Sequence, residues 1–152
     1  MLVALIAAGV VFLKHHNSQS AQAKKVDQAI AASQAAYNKA EYVNALNLVR
    51  GQEAQATSKA QKVRVYQAEA QAANAANRLA DAAHFYELKH QLDPSTAPAD
   101  AYTLGNIYQR LNQKDKALVQ FRAALDYAKN SRNQYGSDAA AIQADIDALE
   151  HQ

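Results

Sequence analysis

The chain has 152 residues, 49% of them hydrophobic, enough for one domain with a packed core. Sixteen basic side chains against fourteen acidic ones leave a formal charge of +2, too small an excess for a nucleic-acid partner, which needs a dense basic face. Cysteine is absent, and this excludes disulfides, thiolate metal sites and a cysteine nucleophile.

Glycine (4) and proline (2) are scarce, so turns are few and elements long. Alanine, glutamine, leucine and lysine, all helix formers, dominate. No stretch alternates valine, isoleucine and threonine as a half-buried strand does. The composition reads all-α.

Residues 2–13 (LVALIAAGVVFL) form an uninterrupted apolar run. As a helix it would cover roughly 20 Å, short of a hydrocarbon core of about 30 Å. That length suits the apolar region of a signal peptide, and Ala21-Gln22-Ala23 has the small-x-small form of a cleavage site. No lysine or arginine precedes the run, and Lys14 with about ten polar residues separates it from that site. A start assigned too far downstream would account for the missing basic end and the short span. Residues 1–23 are therefore expected to be a signal or anchor segment with its linker, associating with a membrane. The basic residues Lys14, Lys24 and Lys25 after the run favour a cytoplasmic domain. The low lysine and glutamate content of the body leans toward the extracytoplasmic side, and that is the localisation expected.

The spacing of apolar residues predicts helices over 26–39, 41–56, 58–76, 79–92, 98–111 and 115–129, with a last one over 138–150. Asp93-Pro94-Ser95 stops a helix, and Pro98 suits the first turn of the next. Gly136 closes a loop and Ser137 is placed to cap the final helix, whose apolar stripe is Ile142, Ile146 and Leu149 beside Ala141, Ala144 and Ala148.

Self-similarity turns this row of helices into a repeat. The strongest unit is Leu104-Gly105-x-x-Tyr108 followed by Ala117-x-x-x-Phe121-x-x-Ala124. Gly105 and Ala117 are small enough for two helices to approach closely, while Leu104, Tyr108 and Phe121 fill the space around that pair. An earlier copy has Tyr66 and Ala70, then Ala82-x-x-x-Tyr86 and the closing Pro94, with Glu69 and Ala73 where leucine and tyrosine are expected. A first, weaker copy has Ser33 and Ala36, then Tyr42-x-x-Ala45-x-x-x-Val49. Ala45, Ala82 and Ala117 are separated by 37 and 35 residues.

This pattern resembles the tetratricopeptide repeat, whose period is about 34 residues. The resemblance covers residues 26 to 129. It implies an all-α fold, a right-handed superhelix of antiparallel helix pairs forming an α-solenoid over 24–130, with 131–152 as a C-terminal capping helix.

Local chemistry gives little sign of an enzyme. His84 and His90 are six apart and share no helix face, and His15 and His16 are adjacent in the expected linker, so no helical metal site forms. Asp145 and Asp147 point to different sides. No phosphate loop or serine–histidine–aspartate motif occurs. The expectation is a binding module without enzymatic activity, cofactor or metal.

In the family that this chain resembles, the first helices of successive pairs line a concave groove that holds a peptide or a partner's helix. Carried over by alignment, the groove positions are Tyr37 and Asn38, then Arg64, Gln67, Gln71 and Asn74, then Tyr102, Asn106, Gln109 and Arg110, with Asp27, Ile30 and Gln34 beside them. Amides both donate and accept, which suits an extended peptide backbone. Tyrosines give flat amphipathic contact, and arginines can hold a carboxylate. Ile30, Gln34, Ala99 and Thr103 stand where repeats that clamp the carboxylate tail of chaperones carry lysine, asparagine and arginine, so that specialisation is not expected. The alternative is a self-associating structural protein of the envelope without a discrete peptide site. A groove binder without residues 1–23 should be monomeric; a self-assembler should not.

Overall fold

The computed structural model describes residues 2–130 and 136–151. The side chains of the run 2–13, of Lys14, His15 and His16, and of Ser137 lie outside the described residues. The described residues are helical with short turns: α1 Leu2–Asn38, α2 Tyr42–Val49, α3 Lys59–Ala75, α4 Leu79–Leu92, α5 Ala97–Arg110, α6 Lys114–Asn130 and α7 Gly136–Glu150, with 3-10 turns at Gln52–Ala54 and Pro94–Thr96. The expected all-α architecture of helix pairs is the observed one. The chain divides into two compact units, Met1–Ala72 and Ala73–Gln152, with the boundary inside α3.

Three expectations about boundaries change. The stretch read as a linker, 14–23, is part of α1, which continues without a break from Leu2 to Asn38; it is mostly polar, yet it has no glycine or proline to break a helix, and Lys14, the glutamines and the alanines favour one. The second helix ends at Val49 and does not reach 56. Arg50 turns extended (ψ 129°) and Gly51 takes a left-handed φ of 79°, a conformation that glycine adopts without steric cost and that ends a helix. The final helix begins at Gly136, so Ser137 lies within its first turn and not at the cap.

One turn is built three times. Ala40, Asn77 and Asn112 have positive φ of 60°, 59° and 57°. After each, the next residue donates its N–H five residues back: Glu41 to Ala36, Arg78 to Ala73 and Gln113 to Tyr108. This is the bond pattern that closes a helix C-terminus through a left-handed residue. Four residues later Ala45, Ala82 and Ala117 start the second helix by donating back to Glu41, Arg78 and Gln113. All three alanines are wholly buried, so no larger side chain fits there without displacing a neighbour.

In the first unit the wholly buried Val26, Val49 and Val65 join α1, α2 and α3, with Ile30 and Ala68 packed against them. Polar contacts tie the same helices. The Ser33 hydroxyl donates to the Ala45 carbonyl at 2.8 Å. Gln61, 3% exposed, accepts from the Thr57 N–H at 2.9 Å and donates to the Ala23 carbonyl at 2.8 Å and to Asp27 at 2.9 Å. It therefore caps α3 and fastens it to α1. Gln22 adds a bond to Gln55. The small-x-small sequence 21–23 is thus helical, and two of its residues are held by the 55–61 region.

In the second unit Leu104, Ile107, Tyr108, Ala117, Phe121, Ala124 and Leu125 pack α5 against α6, and Ile142, Ile146 and Leu149 bury the stripe of α7. A Cβ on Gly105 would lie 2.7 Å from the Phe121 ring, so the aromatic occupies the space that glycine leaves. Between α4 and α5, the buried Lys89 pairs with Asp100, whose Oδ2 also meets His90 Nε2 at 2.9 Å. Lys89 in addition lies 5.5 Å from the centre of the Tyr86 ring.

Candidate functional site

The second unit carries an open cavity of about 350 Å³ lined by α5, α6 and α7. Its volume is in the range of pockets that take a small molecule or one or two peptide side chains. Pro98, Ala99, Tyr102 and Thr103 form one wall, Ala124, Tyr127 and Ala128 a second, and Ala141 with Ile142 a third. Packing explains these choices: four of the nine lining residues are alanines, so space remains once α7 has docked through its isoleucines. Tyr102 and Tyr127 are each 41% exposed and offer aromatic faces at the mouth. The Tyr102 ring leans on Phe121 at 5.7 Å between centres, and its hydroxyl donates to Asp145 of α7 at 3.0 Å. The tyrosine is thereby oriented by the core at one end and by the last helix at the other.

The other expected site residues fall in both units. In the second, Asn106 is half-buried and donates to the Tyr102 carbonyl at 3.0 Å, Gln109 and Asn74 are half-buried, and the exposed Arg110 is held by the Asn77 side chain. In the first, Tyr37 stacks edge-on against Tyr42 at 5.2 Å, and Asn38 accepts from Gln34 at 3.0 Å. Gln67 is half-buried and Gln71 exposed. Arg64 is bound to Asp27 at 2.6 Å, which brings together two positions that the alignment assigned to one face. The Asp27 carboxyl is held below its usual range by the Gln61 hydrogen bond first and by Arg64 second, against the opposing effect of burial.

Both arginines expected to await a carboxylate thus already have partners within the chain. Of the ten expected residues, the structure places Tyr102 on the cavity. Sequence reasoning missed Tyr127, Ala124 and Ala128 as walls because they lie on a second helix, and Ala141 and Ile142 because α7 was read only as a cap. The spacing of Ala124, Tyr127 and Ala128, at i, i+3 and i+4, is the signal that they share a face.

No family model matches the sequence, and no curated protein sequence matches it. Similarity appears at the level of structure. The Yersinia enterocolitica type III secretion translocator chaperone SycD has a TM-score of 0.69 at 12% identity, over 84% of this chain and 84% of that one. BtubC (BKLC) from P. vanneervenii has a TM-score of 0.60 at 14% identity, over 90% of this chain and 65% of that one. At such identities the likeness is one of fold, and the fold shared with SycD is an all-helical, tetratricopeptide-like array of helix pairs.

Proposed function

We propose that the chain is a protein-binding scaffold of the tetratricopeptide-repeat type, without catalytic activity, that seats an apolar side chain of a partner peptide in the α5–α6–α7 cavity. The observation that carries this reading is the cavity itself: open, walled by small and apolar side chains, and flanked by two half-exposed tyrosines. Apolar walls supply affinity through burial, and the tyrosine rings supply contact area at low entropic cost. The three-fold recurrence of the same inter-helix turn supports the repeat assignment, and a structural neighbour that is a translocator chaperone fits a protein ligand. Tyr37, Asn38, Gln67 and Gln71 on the first unit, and Asn74, Asn106 and Gln109 on the second, are proposed as polar contacts to peptide backbone; Arg64 and Arg110 would have to exchange their internal partners to take part.

The apolar run 2–13 is proposed to attach the chain to a membrane, on the extracytoplasmic side. Among the described residues no helix is long and apolar enough to cross a membrane. Because α1 is continuous, an attached chain would have no flexible linker between that run and the packed part of α1.

The test is selection of peptides from a random display library on the full chain, followed by titration of those selected. Ala99→Trp, which fills the cavity from an exposed position, should weaken binding at least tenfold and leave the melting temperature nearly unchanged. Lys129→Ala, outside the cavity, should bind as the parent does. Equal affinity of Ala99→Trp and parent would sink the reading.

A further inference from the structure

A carboxylate is buried where the repeat pattern of the second pair calls for leucine. Glu69 of α3 is 1% exposed and meets the segment that leaves α2. Its Oε1 accepts from the Gly51 N–H at 3.3 Å. Its Oε2 has no hydrogen-bond partner, and neither has the buried Oε2 of Glu53. Glu53 sits in the 3-10 turn Gln52–Ala54, directly after the left-handed Gly51. Two acidic side chains, each with one sequestered and unsatisfied oxygen, therefore lie where a short turn rests on a helix. The Gly51 amide thus ties that turn to Glu69.

We propose that Glu53 and Glu69 form a protonation-operated latch: with a proton on Glu69 the 51–54 turn is held on α3, and loss of that proton to solvent releases it. A protonated carboxyl removes one of two buried charges and gains an O–H donor that can serve an acceptor left unsatisfied. With both carboxylates ionised, each pays for lost hydration and they repel. The charged groups facing Glu69 are Glu53 from the turn and Arg50 from the end of α2, with the Tyr66 phenol on its own helix. Burial first, and the Glu53 charge second, push the Glu69 carboxyl up to about 7, while the Gly51 N–H and Arg50 pull the other way. Burial, then Glu53 and Glu69, also raise the Tyr66 phenol.

In the open turn Glu69 returns toward the ordinary value of 4.5. The closed form thus holds a proton that the open form lacks between that pH and about 7. Over this window each pH unit lowers the closed-to-open ratio by up to about tenfold. Below the window the latch is fully closed, and above it the ratio levels off. The latch stands on the first unit alone and does not depend on the binding reading.

The experiment is backbone hydrogen exchange on the full chain, corrected for intrinsic exchange, between pH 5 and 8.5. Protection of the Gly51–Gln55 amides should fall at least tenfold up to about pH 7 and then level off. Glu69→Gln, which keeps an acceptor for Gly51 and cannot ionise, should abolish that fall. Glu53→Gln, which removes the repelling charge, should move the levelling point to lower pH. A carboxyl-carbon titration of the parent by NMR should find Glu69 changing near neutrality, and this reading holds even if Glu69→Gln does not fold. A Glu69 midpoint near 4.5, or an unchanged pH dependence in Glu69→Gln, overturns the latch.

Discussion

In the second unit an aromatic ring lies against a glycine; in the first, a glutamine occupies the junction of three segments. Phe121 holds α5 and α6 together by filling the space above Gly105, an interaction without direction or charge. Gln61 holds α3 to α1 through bonds to Thr57, Ala23 and Asp27, each dependent on geometry. The buried interior of the first unit includes Ser33, Gln61 and Glu69, whereas the second has Lys89 as its buried charge. The turns are the same in both. A common backbone repeat therefore tolerates two kinds of interior, one resting on apolar volume and the other on polar satisfaction, and the second kind is the one sensitive to pH.

The largest expected effect lies in the apolar unit. Phe121→Ala should cost about 3–5 kcal/mol, the usual range for emptying a fully packed aromatic site. Gly105→Leu should destabilise as well, because its first added carbon already collides with the ring. Chemical denaturation of the full chain, with exchange of the α5 and α6 amides as a local probe, measures both. A parent-like unfolding midpoint in either variant would show that the third pair does not rest on this contact.

In the polar unit Gln61→Ala should cost less, about 1–3 kcal/mol, the penalty for leaving buried groups unpaired. The Thr57 amide, the Ala23 carbonyl and Asp27 all lose a partner. Exchange should quicken first at the start of α3. A loss matching that of Phe121→Ala would erase the contrast drawn between the two interiors.

What the sequence showed depended on which kind of interior was being read. The third pair was legible because Leu104, Gly105, Tyr108, Ala117 and Phe121 are apolar or small at fixed offsets, and packing alone places them. The first two pairs were fainter because Ser33 of α1 and Gln61 of α3 act through hydrogen bonds to the Ala45 and Ala23 carbonyls, which no local spacing announces. The end of α2 was missed although Gly51 marks it, since the glutamines, glutamate and alanines that follow it are good helix formers. Tyr102 reached the cavity through the repeat alignment. Its other walls required knowing that α7 docks beside α5 and α6, a tertiary fact.

The shared turn gives a gain of stability. Ala40 occupies the left-handed region at φ 60°, where Asn77 and Asn112 stand in the other two copies. A side chain there costs roughly 1–2 kcal/mol, and glycine removes the strain while asparagine tolerates it. Ala40→Gly should raise the melting temperature, net of some added freedom in the unfolded chain, whereas Asn112→Gly should change little. A drop on Ala40→Gly would mean that the first turn is held by something other than the bond pattern it shares with the others.

The smallest effect concerns a surface contact in the polar unit. Arg64 and Asp27 are joined at 2.6 Å, yet the two side chains are 57% and 48% exposed, and exposed ion pairs contribute at most about 1 kcal/mol. Arg64→Ala should therefore leave the melting temperature nearly unchanged. Its signature should appear in acid titration. The Gln61 hydrogen bond, and Arg64 through both its charge and its own hydrogen bond, depress the Asp27 carboxyl, so its midpoint should rise in Gln61→Ala and in Arg64→Ala alike. The linkage has a definite sign: a depressed carboxyl adds stability above its ordinary range, and that contribution fades as pH falls through the native value. Each substitution should accordingly flatten the acid limb. An unmoved Asp27 midpoint in Gln61→Ala would place the hold on Asp27 in charge alone, and would remove the distinction between this unit's directional core and ordinary surface electrostatics.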